Sequence, residues 1–383
     1  MDFELTMEQK LLQDSLQCFL DKHYGFAQRM EAVNSAEGWR PQCWEVLAED
    51  LGVLGASFAE EHGGLGGGLL ENLLVMQAFG GALVVEPYLS TVVIGGGLLR
   101  RVGGAQAQRL IPQIIAGDLR IALAQREEQG RDCLHDVACR AQREAEGYRL
   151  NGKKCLMLGA PWASHLLVSA RTAGTLRDRD GISLFLVEND ARVLRRLDYP
   201  TVDGSRAADI HFDNLWVPQS ALLGPEGQGF ALLQGVLDEA RLAHCAEAVG
   251  CMQRMLADTL AYARERRQFG VPISSFQVLQ HRMVEMHIQI EQTLSLTYLA
   301  AMRALASPTD LALAACAATA QAIKALRFVG QAAVQIHGGM GITEELALGH
   351  YFKRATVMEQ QFGSLDHHVR RYASLVLPRR ALA

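Results

Sequence analysis

The middle of this chain, residues 119–225, lacks the helical spacing that is found on both sides of it. It holds short apolar or alternating runs separated by turn residues: Ile121–Ala124, Tyr148–Leu150, Cys155–Leu158, Leu166–Ala170, Ile182–Val187 and Asp209–Phe212. Runs of this length and composition are typical of β-strands. No long helical pattern lies between them, so we expect an antiparallel β-domain. The dipeptide Asn151-Gly152 predicts a hairpin turn between the second and third runs.

Both flanks of this region are predicted to be helical. Thr6 and Gln9 match a capping box, and helical patterns follow at Cys43–Leu51, Leu70–Phe79 and Gln106–Ala116. After Phe230 five helical stretches follow one another, at 230–265, 275–306, 308–338, 343–360 and 366–378, which favours a helix bundle. The expected fold is α+β, mainly α. It comprises an N-terminal helical domain (1–118), a β-domain (119–225) and a C-terminal helical bundle (226–383).

Composition removes several classes of function. The formal net charge is −5 and no long basic run occurs, so we expect no nucleic-acid partner. No uncharged run reaches the ~20 residues that span a bilayer, so no membrane partner is expected. The N-terminal sequence MDFELTMEQK has no basic segment followed by an apolar one, and we expect a cytoplasmic protein.

Two small-residue and thiol patterns have ordinary interpretations. None of the eight cysteines forms a C-x-x-C pair, which favours buried, reduced thiols. The glycine cluster at 62–68 lacks the spacing of a nucleotide-binding loop and follows no predicted strand. We interpret it as a connection between helices.

Three segments stand in the same order as the signatures of a known family: VPQSALLGPEGQGF (217–230), RERRQFGVPISSFQVLQHRMVEM (264–286) and QIHGGMGITEE (335–345). Together with the helical–β–helical order they resemble the acyl-CoA dehydrogenase family over essentially the whole chain. The resemblance implies FAD as cofactor and an acyl-CoA thioester as substrate. In that family a carboxylate takes the α-proton, and the β-hydrogen leaves as hydride to flavin N5.

The resemblance also implies partners. The family forms tetramers in which two chains hold each FAD, and electron-transfer flavoprotein is the expected electron acceptor. The phrases EPYLST, HYFKRAT and FGSLDHH resemble the small subunits of paired-subunit members such as pimeloyl-CoA dehydrogenase. They favour a dicarboxylyl, branched or alicyclic acyl group.

By resemblance, one set of residues binds the ADP half of an FAD that belongs to the neighbouring subunit. Arg266 grips the pyrophosphate, Phe269 packs on the dinucleotide and Gln277 reaches the ADP portion; the adenosine end meets a tight turn of Gln335, Gly338 and Gly339. The alternatives are a solvated charge at a helix end for Arg266 and a plain helix C-cap for the glycines. Ser364 and Asp366 fall at further FAD-contacting positions, although an aspartate does not help to bind phosphates.

The flavin-facing half departs from the family pattern. The Thr-Glu-Pro loop of the family is replaced by AQREEQGRDCLHDVA (124–138), which is charged and longer. Leu156 and Leu158 stand where the family has a Trp-x-Thr pair on the flavin. Hydrogen bonds to the flavin would have to come from elsewhere.

The catalytic base departs as well. The family glutamate falls at Phe362, and the alternative base position, directly before Arg241, is Ala240. Glu239, Glu247 and Asp366 are the remaining candidates, each with an alternative role as a surface or interhelical carboxylate. Arg241 is a candidate partner for a distal substrate carboxylate, or a structural salt bridge. The backbone N–H of Phe362 can still polarise the thioester carbonyl.

Asp366, His367 and His368 predict no metal site, because adjacent residues on a helix point in different directions. We therefore expect one subunit of a hetero-oligomeric dehydrogenase that lends its ADP-binding residues to a partner. A self-sufficient homotetramer with a relocated base, Glu239 or Asp366, is the first alternative. A non-catalytic subunit that binds acyl-CoA or FAD is the second.

Overall fold

A computed structural model describes residues 5–190, 192–304 and 307–377. The described residues form two compact units, one within 1–31, 69–84 and 241–383, the other within 32–68 and 85–240. The predicted fold class is confirmed, since helices precede and follow a mainly antiparallel sheet. The predicted domain boundaries after residues 118 and 225 stay predictions, because the two units alternate along the chain.

The described residues form eleven α-helices, six before the sheet and five after it. They are α1 (Met7–His23), α2 (Phe26–Asn34), α3 (Pro41–Glu49), α4 (Leu69–Ala82), α5 (Gly97–Val102), α6 (Gly104–Ile115), α7 (Gly229–Glu265), α8 (Gln277–Arg303), α9 (Pro308–His337), α10 (Ala347–Gln361) and α11 (Leu365–Val376). The capping box of α1 is present, with Thr6 and Gln9 bonded reciprocally. The sequence patterns missed α2, α5 and the π-helix Leu89–Gly96 that precedes α5. That π-helix is buried for most of its length, so its apolar run shows no amphipathic period.

The sheet lies in the second unit. Its strands are β1 (Ile121–Ala124), β2 (Arg140–Arg143), β3 (Gly147–Leu158), β4 (His165–Arg171), β5 (Ile182–Glu188), β6 (Arg195–Pro200), β7 (Arg206–Pro218) and β8 (Leu222–Leu223). The spatial order is β6-β7-β3-β2-β4-β5-β8, and β1 adds a parallel pair with β4. Alternate side chains of these strands form one apolar core that includes Leu150, Leu166, Phe185, Ile210 and Phe212.

The hairpin prediction at Asn151-Gly152 is wrong. Both residues lie inside β3, at a bulge where the register with β7 shifts. Asn151 is held by Asn214 of β7: its side-chain oxygen accepts the Asn214 N–H at 2.9 Å, and its amide donates to Asn214 Oδ1 at 3.1 Å. A Cβ on Gly152 would lie 2.7 Å from Cα of Cys139, so glycine permits the close approach of the two chain segments. The dipeptide therefore marks a bulge.

A buried ion pair fixes the loop between β1 and β2. The side chain of Lys154 is fully buried, and Nζ donates to Glu127 Oε1 at 2.7 Å and to Ser169 Oγ at 3.1 Å. Glu127 also accepts the backbone N–H groups of Ala138 and Cys139. Burial opposes ionisation of Glu127, but the Lys154 ammonium and these hydrogen bonds hold its pKa below the usual range. The charged loop is thus anchored to the sheet.

In the first unit, α8, α10 and α11 pack against α9. α9 is long and apolar enough to cross a membrane, but most of it is buried in this bundle, as in the core helix of a soluble protein. α4 and α7 cross at backbone distance. A Cβ on Gly80 would meet Glu247 O at 2.0 Å, and one on Gly250 would meet Gln77 O at 1.9 Å. The crossing therefore requires glycine on both helices.

All eight cysteines lie in the described ranges and are free thiols. Five are buried, as predicted: Cys43, Cys139, Cys245, Cys251 and Cys316. Cys133 and Cys155 are half-buried, and Cys18 is exposed, so the prediction of burial was wrong for Cys18. Cys18 lies on α1, whose apolar face is turned inward at Leu16 and Leu20.

Candidate active site

The arginine–phenylalanine–glycine signature forms a small hairpin directly after α7. Strands β9 (Arg267–Gln268) and β10 (Val271–Pro272) pair antiparallel, and Phe269 and Gly270 form the turn. Both turn residues have positive φ, 54° and 85°. The Phe269 side chain is 93% exposed. The ring lies edge-on to Phe276 with centroids 6.2 Å apart, and most of its surface is open to an external group.

A second turn lies beside this hairpin, in the same unit. α9 ends at His337, whose ring stacks on Tyr262 with centroids 4.3 Å apart. The Tyr262 hydroxyl donates to His337 O at 3.3 Å, so the C-terminal ends of α7 and α9 meet. Arg266 follows Tyr262 by one turn, and Gly338 follows His337 directly. The structure therefore brings together the two segments predicted to bind the ADP half.

The remaining residues of this set are open to an external group. Gln277 is the first residue of α8, and both Gln277 and Gln335 are exposed. Gly338 has φ 62° and ψ −140°, a conformation that only glycine adopts readily. A Cβ on Gly338 or Gly339 would meet nothing within 4 Å, so packing within the described residues does not require glycine at 339. The exposed side chain of Arg266, the exposed ring of Phe269 and the open space over the Gly338–Gly339 turn fit a dinucleotide diphosphate.

Ser364 and Asp366 have roles within this chain. The Ser364 side chain caps α11 by accepting the His367 N–H at 3.2 Å. Asp366 lies in the first turn of α11, with a side chain 81% exposed and Arg370 3.9 Å away. An exposed carboxylate in the first turn suits the helix dipole. No cluster that could hold a metal is found among the described residues.

The predicted base candidates on α7 are bound by arginines. In the second unit, Glu239 accepts from Arg100 at 2.9 Å and from Arg101 at 2.7 Å. In the first unit, Glu247 Oε1 accepts from Arg354 at 2.7 Å. Each of these two carboxylates is therefore held by a guanidinium of this chain.

Phe362 ends α10, and its ring faces an imidazole that the sequence patterns missed. The ring of His244 lies edge-on to it, with centroids 5.1 Å apart, and His244 Nε2 is 3.2 Å from Gln361 Oε1. Burial, with the positive charges of Arg354 and His368, lowers the pKa of His244 to about 3. A sequence signal was present, because His244 follows Ala240 by one helical turn.

In the second unit, the strand position predicted to face the flavin is apolar. Leu156 has φ 50°, lies where the β3–β7 register shifts, and is 40% exposed. Its N–H donates to Asp209 Oδ1 at 3.0 Å. Tyr199 donates to the same oxygen at 2.7 Å; burial and this hydrogen bond raise the pKa of Tyr199 to about 12. Neither Leu156 nor Leu158 offers a side-chain donor, so these two side chains cannot hydrogen-bond a flavin.

Comparison with known proteins decides the family. Models of the N-terminal, middle and C-terminal domains of acyl-CoA dehydrogenases match residues 6–118, 122–215 and 227–376. This chain belongs to the acyl-CoA dehydrogenase family. Members of the acyl-CoA dehydrogenase family are FAD-dependent oxidoreductases, and the resemblance stated from the sequence motifs is confirmed at that level.

Individual relatives cover most of the chain. Mitochondrial 2-methylacyl-CoA dehydrogenase of Solanum tuberosum is 30% identical over 372 residues, 94% of this chain and 88% of that protein. Benzylmalonyl-CoA dehydrogenase of Aromatoleum aromaticum is 32% identical over 308 residues, 79% of this chain and 80% of that protein. The ChsE4–ChsE5 complex of Mycobacterium tuberculosis has a chain 26% identical with TM-score 0.88, covering 99% of this chain and 100% of that one.

Proposed function

We propose that this chain is one subunit of a hetero-oligomeric, FAD-dependent acyl-CoA dehydrogenase. In this assembly it holds the ADP half of an FAD whose flavin ring lies in a second, related chain. The observation that carries the proposal is the contrast between two surfaces. Phe269 and Gly338 are open to a dinucleotide. Leu156, by contrast, stands where the family has a tryptophan that faces the flavin, and its N–H is bonded to Asp209.

Each residue of the proposed ADP-binding surface would contact a different part of the FAD. Arg266 would pair with the diphosphate, Phe269 would cover the dinucleotide, and Gln277, Gln335 and Gly339 would contact the adenosine end. Bound FAD accepts the hydride from the β-carbon in this family. The backbone N–H of Phe362 stays available to polarise a thioester carbonyl, because that contact does not depend on the side chain.

The second chain would supply the general base. Phenylalanine at 362 and alanine at 240 accept no proton, and the relocated-base alternative is disfavoured by the positions of its two carboxylates. Glu239 is paired with Arg100 and Arg101, and Asp366 is exposed. The similarity to a chain of the ChsE4–ChsE5 complex, which contains two different proteins, supports a paired assembly.

We also infer the class of acyl group, the electron acceptor and the location in the cell. The phrases that resemble small subunits of the pimeloyl-CoA dehydrogenase type, and the similarity to benzylmalonyl-CoA dehydrogenase, favour a dicarboxylyl or ring-bearing acyl-CoA. Arg241, buried on α7, is the proposed partner of a distal carboxylate. Electron-transfer flavoprotein is the proposed acceptor, and the cytoplasm the proposed location.

Turnover assays test the division of labour. The chain is purified alone and co-expressed with a second dehydrogenase-like chain from the same organism, and acyl-CoA-dependent reduction of an artificial acceptor is measured for both. We expect turnover only from the co-purified complex. Turnover by the chain alone, with full FAD content, would exclude the proposal and favour a self-sufficient homotetramer. A complex that binds thioesters but never reduces an acceptor would favour a non-catalytic subunit.

A further inference from the structure

One stacked pair of side chains joins the C-terminal ends of α7 and α9 in the first unit. The rings of Tyr262 and His337 have centroids 4.3 Å apart and an interplanar angle of 23°. The Tyr262 hydroxyl donates to His337 O at 3.3 Å, and His337 is 4% exposed. The two helix ends are thus held together by a ring contact and a hydrogen bond.

His337 also contacts the turn that follows α9. Because the carbonyl oxygen of Ala333 only accepts, the imidazole donates to it from Nδ1, at 2.9 Å. Burial lowers the pKa of His337, which favours the neutral ring. A Cβ on Gly341 would lie only 3.1 Å from His337 Cβ and 3.0 Å from Val334 O. The turn that begins at Gly338 therefore packs directly on His337.

Tyr262 is coupled to Arg266 through the backbone. The Arg266 N–H donates to Tyr262 O at 2.8 Å, and the Ile273 N–H donates to Arg266 O at 2.8 Å. The first bond continues the hydrogen-bond pattern of α7, and the second closes the base of the hairpin that carries Phe269. Both backbone groups of Arg266 are fixed in this way, whereas its side chain is exposed. The position of Tyr262 therefore sets the point from which the Arg266 side chain extends.

The separation of the two ADP-binding segments is not fixed by either helix alone. Arg266 follows α7, and the Gly338–Gly339 turn follows α9. A ligand that contacts both segments binds more tightly when they are already held at the right separation, because ordering them on binding costs affinity. The stacked pair reaches both segments, and His337 is too deeply buried to cover a ligand itself. Its effect on binding must act through Arg266 and the turn.

We propose that Tyr262 and His337 are positioning residues, which hold Arg266 and the Gly338–Gly339 turn at the separation that the ADP half of FAD requires. The assignment rests on the proposed function, because it takes these two segments as the ADP-binding surface. Loss of the stacked pair weakens FAD binding by changing the separation, and it removes no direct contact with the cofactor.

A double-mutant cycle on FAD affinity tests the assignment. FAD is titrated into the cofactor-free hetero-oligomer, and the dissociation constant is measured by flavin fluorescence. We expect Tyr262→Leu and His337→Leu each to weaken binding about tenfold, the upper end of what one aromatic pair contributes. In an Arg266→Ala background we expect Tyr262→Leu to cost less than about twofold, because the separation matters only while the guanidinium is present. Tyr262→Phe and His337→Phe keep a stacked ring and should retain most of the affinity.

Tyr351→Leu is the matched control. Tyr351 is a buried tyrosine of the same unit, and its hydroxyl also donates to a backbone carbonyl, that of Gly81. The control variant should lower the free energy of unfolding and leave the affinity for FAD unchanged.

The outcomes separate this assignment from the proposed function. A tenfold loss for Tyr262→Leu that persists in the Arg266→Ala background, or an equal loss for Tyr351→Leu, would overturn the assignment, because the effect would then come from the fold as a whole. Unchanged affinity for Tyr262→Leu, together with weakened binding for Arg266→Ala, would overturn the assignment alone. An Arg266→Ala complex that binds FAD as tightly as the wild type would contradict the proposed function as well, since no contact would remain to be positioned.

Discussion

The phenyl ring of Phe362 lies edge-on to the imidazole of His244, with ring centroids 5.1 Å apart and an interplanar angle of 78°. Two uncharged rings thus occupy the end of α10 and the facing part of α7. Neither ring carries a negative charge, and the pKa of His244 is lowered to about 3. This arrangement is what the proposed function expects, in which the second chain supplies the proton-accepting group.

Restoring a carboxylate at this point tests the assignment of Phe362. We expect Phe362→Glu to accelerate exchange of the thioester α-proton with deuterated solvent by about 10²-fold or more, because a positioned base contributes at least that factor. Mass spectrometry of a recovered acyl-CoA measures the exchange. Phe362→Gln is the matched polar control and should give none. Equal exchange in both variants would show that residue 362 does not face the α-carbon.

The positive φ of Phe269 at the hairpin tip predicts that a glycine there weakens FAD binding without lowering the stability of the chain. Phe269→Gly relieves a positive φ and removes an almost fully exposed ring. We expect the free energy of unfolding to be unchanged or to rise by up to about 1 kcal/mol, since the relief of strain is partly offset by the entropy of glycine. FAD affinity of the assembly should fall about tenfold through loss of the aromatic contact. Phe269→Tyr should keep it; an unaffected affinity in the glycine variant would remove Phe269 from the cofactor site.

The close crossing of α4 and α7 predicts that a substitution of glycine there lowers the stability of the fold. Gly250→Ala places a methyl group 1.9 Å from Gln77 O, and a backbone carbonyl cannot turn away as a side chain can. We expect a loss of about 1–3 kcal/mol or more in unfolding free energy, measured by chemical denaturation. The control is Gly339→Ala, where a Cβ meets nothing and stability should hold. A Gly250→Ala protein as stable as wild type would contradict the close crossing.

The ion pair of Glu127 and Lys154 predicts a pH dependence. The folded-state pKa of Glu127 lies below its ordinary value of 4.5, so its contribution is complete above that value and is lost as pH falls through the folded pKa. Glu127→Gln leaves the Lys154 ammonium buried without its partner, and we expect a cost of about 3–5 kcal/mol at neutral pH. The difference between wild type and variant should shrink below pH 4.5. Denaturation curves with parallel pH dependence would contradict this.

The architecture could be predicted because its signals are local. The apolar spacing of α7 to α11 and the short runs of β1, β3, β4, β5 and β7 are each encoded within one element, whereas β2 and β6 were not predicted. The bulge at Gly152 could not be predicted, because it depends on Asn214, 63 residues from Asn151. The π-helix Leu89–Gly96 escaped because an element buried on most sides carries no period.

The candidate site also has a part that could be predicted from the sequence and a part that could not. The residues of the proposed ADP-binding surface lie in continuous motifs, and the structure shows that Phe269, Gln277, Gln335 and Gly338 are exposed. The hydrogen-bond partners of the candidate carboxylates could not be predicted from the sequence. Glu239 is neutralised by arginines 138 and 139 residues away, and no spacing rule connects them. His244 was missed because its contact with Phe362 joins two helices that are far apart in the sequence.

The FAD content of purified protein tests the central claim most directly. The flavin absorbance band is recorded for the chain alone and for its co-purified complex, each at known chain concentration. A chain that only grips the ADP half should carry no FAD alone and one FAD per pair of unlike chains in the complex. One FAD per copy of this chain in the absence of a partner would contradict the division of the cofactor site.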